Sequence, residues 1–462
     1  MSSNICAIST AAGQSAIAVI RVSGNDALPI CDKIFDSVNK DFSVKEMSAN
    51  SIHFGRIKDE KQIVDEVLLS VFKAPHSFTG EDLVEIACHG SAYIQQLIIQ
   101  LLLKNGCQLA QPGEFTQRAF LNGKMDLSQA EAIADLIASH SASSHRVAMN
   151  QMRGGFSQEL MSLRAQLLDF TSLIELELDF SEEDVEFADR KKLEELASSI
   201  ETKLARLTDS FRVGNVIKKG IPVAIVGETN SGKSTLLNLF LNEEKAIVSD
   251  IHGTTRDVIE DVVNIGGITF RFIDTAGIRE TEDVIENIGI KRSLQQIEQA
   301  SIVLWLIDAT QVSEHIDWMA DRIVPRSEGK KMILVFNKLD KIDQEECTIL
   351  EQLFNNINAD RVFISAKEKQ NMQELVDKLL KATQIPQIGE NDVIVTNLRH
   401  YEALSQALVA IRRVQKGLQE HISGDFLSQD VRECLHFLGE ITGQITTDEV
   451  LGNIFSRFCI GK

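Results

Sequence analysis

The hydrophobic pattern changes its period along the chain. No proline lies between residues 113 and 221, and within that stretch apolar residues recur at three- and four-residue steps, which is typical of amphipathic helices. These residues are Leu160, Leu163, Leu167, Phe170 and Ile174, followed by Leu193, Leu196, Ile200, Leu204, Leu207 and Phe211. A second helical tract is predicted after Pro386. There, Thr446 and Glu449 have the spacing of a capping box and predict the start of the terminal helix.

Short apolar runs bounded by turn residues predict strands in two other parts of the chain. Residues 223–226, 268–273, 332–336 and 362–364 predict strands of one doubly wound sheet, each followed by a polar motif. Near the N-terminus, residues 16–22 and 67–72 predict strands and residues 92–103 predict a helix. The N-terminal part is therefore predicted to be a separate α/β domain.

Together these patterns predict a multidomain protein of mixed α/β and all-α class. We predict an N-terminal α/β domain over residues 1–120 and a helical domain built from residues 121–216 and 383–462. A doubly wound α/β domain over residues 217–382 is inserted between the two helical parts. Because an insertion keeps its two ends close, motion in the inserted domain could be transmitted to the helices.

Composition narrows the function classes. The chain has 462 residues, 44% of them hydrophobic, which predicts two or three globular domains. The net charge of −20 argues against nonspecific coating of nucleic acid, so any RNA contact must use a local patch. Seven dispersed cysteines without a Cys-x-x-Cys pair fit a reducing cytosol. No apolar run has the length of a membrane span and no secretory leader is recognisable, so we expect a cytoplasmic protein without membrane contact.

The segment 227–234 reads Gly-Glu-Thr-Asn-Ser-Gly-Lys-Ser and lies between a predicted strand and a predicted helix. In such a loop, backbone N–H groups and the N-terminal end of the helix bind phosphate oxygens. The catalytic ammonium of Lys233 reaches the β- and γ-phosphates, and the hydroxyl of Ser234 can ligate Mg²⁺. The loop therefore predicts a nucleoside triphosphate site. Its assigned contacts are Asn230, Ser231, Gly232, Lys233, Ser234 and Thr235.

Three further motifs follow in the order that GTP binding requires. Asp274 opens an Asp-Thr-Ala-Gly motif at a strand end, where its carboxylate can hold the Mg²⁺ shell and the Gly277 amide can contact the γ-phosphate. The carboxylate of Asp340 can accept two hydrogen bonds from guanine, a geometry that adenine cannot supply. Each motif alone could be an ordinary strand-end turn, but their order predicts a GTP site. The assigned residues are Asp274, Thr275, Ala276, Gly277, Asn337, Lys338, Asp340, Ser365, Ala366 and Lys367.

A predicted switch segment lies between the phosphate loop and Asp274. It would supply a second hydroxyl to Mg²⁺, and we assign this role to Thr255. Ile278 stands where Ras-like GTPases carry a water-orienting glutamine, so water must be activated in another way. Acidic residues at 280–286 are candidates, and the alternative is a solvated acidic loop. The switch residues assigned to GTP are Ser249, Asp250, Ile251, His252, Gly253, Thr254 and Thr255.

At this point the residues closely resemble a known family, the bacterial tRNA-modification GTPases called MnmE or TrmE. The resemblance covers the whole chain and rests on Asn230, on the inserted GTPase segment and on several motifs. These are Ser-Phe-Thr-Gly-Glu-Asp at 77–82, Pro-Gly-Glu-Phe at 112–115, Ala-Phe-Leu-Asn-Gly-Lys at 119–124, Gly-Thr-Thr-Arg-Asp at 253–257 and Cys-Ile-Gly-Lys at 459–462. The resemblance implies a Ras-like domain inserted into a helical domain, preceded by a domain that binds folate and dimerises.

The resemblance also implies a potassium-dependent reaction. K⁺ would lie between phosphates, in a role that an arginine finger fills in other GTPases, and its site would be complete only when two GTPase domains face each other. The implied ligands are the Asn230 side chain and oxygens of Ser249, Ile251 and Thr254. Glu286 matches the acid that orients the attacking water through a second water.

For the N-terminal domain, the resemblance implies a site for 5-formyltetrahydrofolate or a related reduced folate. Its residues would be Arg21, Glu85 and Lys124, joined by Lys462 from the chain end. Their spacing in the sequence alone does not distinguish Arg21, Glu85 and Lys124 from ordinary surface residues. Cys459 would then lie beside a one-carbon donor and could act as a nucleophile or an acid, and the alternative is a small apolar packing residue.

The expected function is that of a cytosolic, dimeric, K⁺-stimulated GTPase. As the resemblance implies, it works with the FAD-dependent partner MnmG to add an aminomethyl-type group at C5 of the wobble uridine of certain tRNAs. Two alternatives remain open. A ribosome-assembly GTPase would predict basic flanking domains, which the net charge of −20 disfavours. A dynamin-like scaffold would need a basic amphipathic face for membrane assembly.

Overall fold

The computed structural model describes residues 3–38, 43–60, 62–179, 190–244, 261–273, 296–311, 315–385, 389, 392–456 and 458–461. The chain packs as two compact units. The first comprises Met1–Ile137, Gln151–Leu204 and Glu402–Lys462, and the second comprises Ala138–Asn150 and Ala205–Tyr401. The two units group segments that pack together and do not test the predicted domain boundaries near residues 120, 216 and 382. These boundaries therefore stay a prediction.

The first unit contains a seven-stranded sheet with two helices against one face. Its strands and helices are β1 (Ile5–Ile8), β2 (Ile17–Ser23), α1 (Ala27–Ile34), β3 (Phe35–Ser37), β4 (Ser51–Asp59), β5 (Gln62–Phe72), β6 (Leu83–His89), α2 (Ala92–Lys104) and β7 (Gln108–Leu109). The strand order is β3-β4-β5-β6-β2-β1-β7, antiparallel except for β1 with β7. Ile20, Leu69 and Ile86 pack with Ile98 and Leu102 of α2 in the core beneath the sheet. The predicted α/β class of this part is confirmed.

A run of helices follows, as the proline-free stretch predicts. They are α3 (Glu114–Leu121), α4 (Leu127–Ile137), α5 (Ala142–Met152), α6 (Gly155–Asp179) and α7 (Arg190–Lys219). The predicted apolar stripe of α6 is fully buried, from Leu160 to Ile174. Leu193, Ile200 and Leu204 of α7 are buried in the same way. Among the described residues, no helix is both long enough and apolar enough to cross a membrane.

The second unit contains the predicted doubly wound sheet. Its elements are β8 (Ile221–Val226), α8 (Lys233–Glu244), β9 (Asp261–Ile265), β10 (Ile268–Phe272), β11 (Ile302–Asp308), α9 (His315–Arg326), β12 (Lys331–Asn337), α10 (Gln344–Leu353), β13 (Asp360–Ile364) and α11 (Met372–Ala382). The order is β13-β12-β11-β8-β10-β9, and only β9 is antiparallel to its neighbour.

Two separate apolar cores cover the two faces of this sheet. One contains Phe240 of α8 and Leu375 of α11, and the other contains Ile316 of α9 and Leu350 of α10. β11 is buried along its whole length, and accordingly its residues 302–307 are all apolar and do not alternate with polar ones. The parallel strands bring their carboxyl ends, and the motifs that follow them, to one edge of the sheet.

The chain returns to the first unit through α12 (Leu398–Gln419), α13 (Gly424–Thr442) and α14 (Asp448–Phe455). Helix α13 packs along α6. The predicted start of the last helix was wrong by one residue. Thr447, not Thr446, is the N-cap, because its extended backbone lets its hydroxyl accept a hydrogen bond from the Val450 amide at 3.3 Å.

Candidate functional site

The phosphate loop connects β8 to α8, and its conformation requires glycine at Gly227 and Gly232. Gly232 has φ +102°, and a Cβ atom there would lie 2.1 Å from Nδ2 of Asn337. Asn230 adopts a left-handed conformation with φ +64°, which asparagine tolerates better than most residues. Leu236 donates its amide to the Gly232 carbonyl at 2.9 Å, closing the first turn of α8. The loop is therefore shaped to present backbone amides at the start of a helix.

Lys233 folds back over this loop. Its Nζ atom donates to the carbonyl oxygens of Gly227 at 2.9 Å and Glu228 at 2.6 Å. Burial lowers the pKa of Lys233 to about 8, although the nearby Glu228 carboxylate partly offsets this effect. Phosphate oxygens would supply the negative charge that favours the ammonium. Lys233 thus lies over the phosphate loop, and Ser234 and Thr235 follow it in the first turn of α8. The phosphate and Mg²⁺ contacts assigned to these residues stay predictions.

Asn337 connects three of the predicted GTP motifs. It is the last residue of β12 and is 3% exposed. Its Nδ2 atom donates to the Ser231 carbonyl at 2.7 Å, and its Oδ1 atom accepts from the Ala366 amide at 3.0 Å. A single buried side chain therefore holds the phosphate loop and the Ser-Ala-Lys segment in register, a role that its type alone did not predict.

Asp340 lies on the surface, just beyond the end of β12 that carries Asn337. The Ser365 hydroxyl donates to its Oδ1 atom at 2.6 Å, and this hydrogen bond lowers the pKa of the Asp340 carboxyl. Ser365 itself is fully buried, while Lys367 beside it is exposed. The carboxylate is consequently ionised and oriented before a base arrives, which fits the predicted acceptor for guanine.

Part of the predicted site lies outside the described residues. This holds for the switch segment, the second Mg²⁺ ligand, the Asp-Thr-Ala-Gly motif, Ile278, the water-orienting acid and the terminal lysine. The residues concerned are Ser249, Asp250, Ile251, His252, Gly253, Thr254, Thr255, Asp274, Thr275, Ala276, Gly277, Glu286 and Lys462. Their assigned roles stay predictions.

In the first unit, Arg21 and Glu85 form a cross-strand pair. They are directly opposite on β2 and β6, and the Arg21 guanidinium donates to Oε1 of Glu85 at 2.7 and 3.0 Å. The guanidinium carbon lies 5.3 Å from the centre of the Phe78 ring and 5.6 Å from that of Phe115. Lys124 donates its Nζ to the Pro75 carbonyl at 2.9 Å and packs against the loop that carries Phe78. The structure therefore pairs Arg21 with Glu85 and places the Arg21 guanidinium near two aromatic rings.

Sequence reasoning missed a buried ion-pair network that supports these rings. Arg118 contacts Glu81 at 3.0 Å and Glu114 at 2.8 Å, and Glu81 also accepts a hydrogen bond from the Ser23 hydroxyl at 2.9 Å. Glu81 shares a loop with Phe78, and Glu114 precedes Phe115 in the chain. Both lie in segments that carried the family resemblance, which was the only signal for them. The network fixes both aromatic side chains relative to β2.

The C-terminal segment packs beside this cluster in the first unit. The carbonyl of Gly461 accepts a hydrogen bond from the Ser9 hydroxyl at 3.1 Å, and a Cβ atom on Gly461 would lie 2.3 Å from the Ile8 carbonyl oxygen. Phe458 is buried, whereas Cys459 is exposed. The packing role considered for Cys459 does not fit its exposure, and its thiol is open to a ligand.

Comparisons with known proteins show which family and which individual proteins the chain is similar to. The profile described as MnmE helical domain matches residues 127–459, and that of the GTP-binding protein TrmE N-terminus matches residues 4–124. The tRNA modification GTPase MnmE of Bacteroides thetaiotaomicron is 61% identical over 461 residues, covering 99% of both chains. That of Parabacteroides distasonis is 57% identical over 462 residues, covering 100% of both. Among solved structures, an Era variant from Aquifex aeolicus bound to GDP·AlF4⁻ is 32% identical and covers 41% of this chain and 65% of its own, with a TM-score of 0.28.

The doubly wound sheet, the phosphate loop and the base-binding motifs, which are joined by hydrogen bonds of Asn337 and Ser365, define a GTP-binding hydrolase. The family matches extend over both sides of that domain and nearly the whole chain. The chain belongs to the MnmE family of tRNA modification GTPases. It is therefore a GTPase that acts in tRNA modification, and both the resemblance and the predicted fold class are confirmed.

Proposed function

We propose that this GTPase is a cytoplasmic, K⁺-dependent homodimer that modifies C5 of the wobble uridine of certain tRNAs. It works with the FAD-dependent subunit MnmG and takes a one-carbon group from 5-formyltetrahydrofolate or a related reduced folate. The observation that carries the proposal is that one chain combines an ordered GTP-motif site with an Arg21–Glu85 pair whose guanidinium lies near two aromatic rings. All seven cysteines are free thiols, which fits a reducing compartment. Hydrolysis would drive domain movement and not the carbon transfer itself.

Asn230 supports the potassium part of the proposal. Its side chain is exposed within the phosphate loop, and its backbone has a left-handed conformation. A side-chain amide oxygen is a suitable ligand for a monovalent cation beside phosphates. Backbone or hydroxyl oxygens of Ser249, Ile251 and Thr254 would complete the site. Ser234 and Thr255 would ligate Mg²⁺, Asp274 would hold its outer shell, and Glu286 would orient the attacking water.

The rate of GTP hydrolysis is expected to be at least about tenfold higher in KCl than in NaCl at equal ionic strength, because the cation neutralises charge that develops between the β- and γ-phosphates. Asn230→Ala should remove most of this difference. Thr229→Ala, an exposed neighbour in the loop, should keep it. Phosphate release measured in the two salts checks the prediction. Equal rates in K⁺ and Na⁺ for the parent protein would refute the K⁺ proposal.

The geometry around Arg21 supports the folate proposal. A reduced folate has a planar pyrimidinone ring with amide-like N–H donors, fused to a puckered reduced ring, and a glutamate tail with carboxylates. The Glu85 carboxylate can accept hydrogen bonds from the pterin edge, and the half-buried Phe78 ring, 5.3 Å from the Arg21 guanidinium carbon, offers an apolar surface nearby. Arg21, Lys124 and Lys462 would supply positive charge for the carboxylates. The exposed thiol of Cys459 would then face the one-carbon group.

Arg21→Ala is expected to weaken the binding of 5-formyltetrahydrofolate at least about tenfold, since it removes a charge-assisted contact and leaves Glu85 without its partner. Isothermal titration calorimetry with the full chain checks this. Arg56→Ala is a matched control, because Arg56 forms a similar pair with Glu66 on the same sheet but with both side chains exposed. If the parent protein has no measurable affinity for a reduced folate, the ribosome-assembly alternative is favoured.

An open apolar face of the first sheet supports the homodimer. The α2 helix covers the opposite face, whereas Phe54 of β4 and Leu68 of β5 are paired on the open face and are 50% and 47% exposed. Ile52 and Ile17 on the same face are 68% and 63% exposed. A second copy of this chain would remove these side chains from water. Sedimentation equilibrium of the full chain measures whether it does so.

A further inference from the structure

Asp308 is a buried carboxylate beside the base pocket to which neither the motifs nor the proposed mechanism gives a role. It is the last residue of β11 and lies directly opposite Asn337, the last residue of β12. The amide of Ala309 donates to the Asn337 carbonyl at 3.0 Å, which extends the pairing one residue beyond the strands. Asp308 therefore occupies a fixed position at the edge of the sheet where the GTP motifs converge.

Every acceptor atom of the Asp308 carboxylate has a partner. Its Oδ1 atom accepts hydrogen bonds from the amide and the hydroxyl of Thr310, at 3.0 and 2.7 Å. Its Oδ2 atom pairs with the ammonium of Lys338. Burial acts to raise the pKa of Asp308, but these hydrogen bonds outweigh it and the pKa lies below its ordinary value. The side chain is 8% exposed, so the charge is held by its partners and not by water.

Lys338 has a backbone conformation that needs such support. Its φ is +71°, in the left-handed region, which is unfavourable for a residue with a side chain. It is also the N-cap of the short helical turn Leu339–Lys341, and no side chain caps that turn. Asp340 lies within the turn. The orientation of the guanine acceptor therefore depends on how Lys338 is held.

We propose that Asp308 is a positioning residue for guanine recognition. By pairing with the Lys338 ammonium it holds the Lys338 backbone in its left-handed conformation, and this fixes Asp340 against Ser365. Asp308 does not contact the nucleotide itself. The role concerns the GTPase reaction alone and is independent of the K⁺, folate and tRNA proposals.

Asp308→Asn tests this through the balance between KM and kcat. It removes the charge with little change of shape, and it is expected to raise KM for GTP about tenfold while kcat changes less than about twofold. Base discrimination gives a readout that a purely structural role would not move. Inosine lacks the exocyclic amine from which Asp340 would accept a hydrogen bond, so a misplaced Asp340 penalises GTP more than ITP. The ratio of KM for ITP to KM for GTP should therefore fall roughly threefold in the variant. Asp360→Asn, an exposed aspartate at the start of β13 and at the opposite edge of the sheet from the GTP motifs, should change neither value.

Two further variants make the test independent of protein stability. Thr310→Val keeps the carboxylate charge and removes one hydrogen bond, so its effect on KM should be smaller than that of Asp308→Asn. In a Lys338→Met background, where the pair is already absent, Asp308→Asn should have no further effect on the ITP-to-GTP ratio. The proposal is overturned if Asp308→Asn leaves the ratio unchanged. It is equally overturned if the ratio changes to the same extent with and without Lys338.

Discussion

Lys233→Ala is expected to lower kcat/KM for GTP by at least about a thousandfold, because it removes the ammonium that we assign to the β- and γ-phosphates. The Lys233 ammonium already lies over the loop, 2.9 Å from the Gly227 carbonyl oxygen, and needs no large movement to meet the phosphates. Its loss also leaves the charge of Glu228 in the loop without compensation. Phosphate release under single-turnover conditions measures the effect on the chemical step.

The matched control for this variant is Lys331→Ala. Lys331 is an exposed lysine at the start of β12, at the opposite end of the strand from the GTP motifs. The control should hydrolyse GTP at the parental rate. A Lys233→Ala protein that folds and retains activity within tenfold of the parent would place the catalytic site elsewhere. Loss of the buried ammonium relieves its desolvation cost but also removes its two hydrogen bonds to the loop, so circular dichroism of the variant is needed to check that it folds.

Asp340→Asn is expected to weaken GTP binding by about a hundredfold or more, because two charge-assisted hydrogen bonds to the base are replaced by one neutral bond and one donor facing a donor. The same change should create affinity for XTP, since xanthine carries a carbonyl oxygen where guanine carries the exocyclic amine. The Ser365 hydroxyl can still donate to the asparagine oxygen, so the pocket keeps its shape.

Competition of GTP and XTP against a fluorescent nucleotide measures this exchange of specificity. The parent protein and Asp360→Asn should both prefer GTP strongly. If Asp340→Asn bound GTP and XTP as the parent does, the carboxylate would not be the guanine acceptor. That result would contradict the assignment of the base pocket without affecting the assignment of the phosphate loop.

The parts of the fold that follow from local pattern were predictable from the sequence. The strand before the phosphate loop and the helix after it were recognised because a buried parallel strand is continuously apolar and the glycine-rich loop has a fixed spacing. The buried stripe of α6 followed from its helical period. The terminal helix was placed one residue early, because two adjacent threonines both satisfy a capping pattern and only the backbone conformation chooses between them.

The contacts that complete the sites were not predictable, since each joins residues far apart in the chain. Asn337 bonds to Ser231 across 106 residues, and Arg21 to Glu85 across 64. Such pairs depend on strand register, which no local pattern fixes. Asp308 shows the same limit, because a carboxylate at the end of an apolar strand resembles any strand-end residue until its neighbour Lys338 is known. The roles of Phe78 and Phe115 also emerged only from their position beside Arg21.

We expect GTP hydrolysis at Lys233 to be required for modification of the tRNA wobble uridine. The decisive experiment is mass spectrometry of tRNA nucleosides from a strain that lacks the gene and carries either the parent chain, Lys233→Ala or Lys331→Ala. The aminomethyl-type uridines should disappear on deletion, return with the parent chain and Lys331→Ala, and stay absent with Lys233→Ala. Parental levels of these nucleosides in the deletion strain, or their full return with Lys233→Ala, would contradict this expectation.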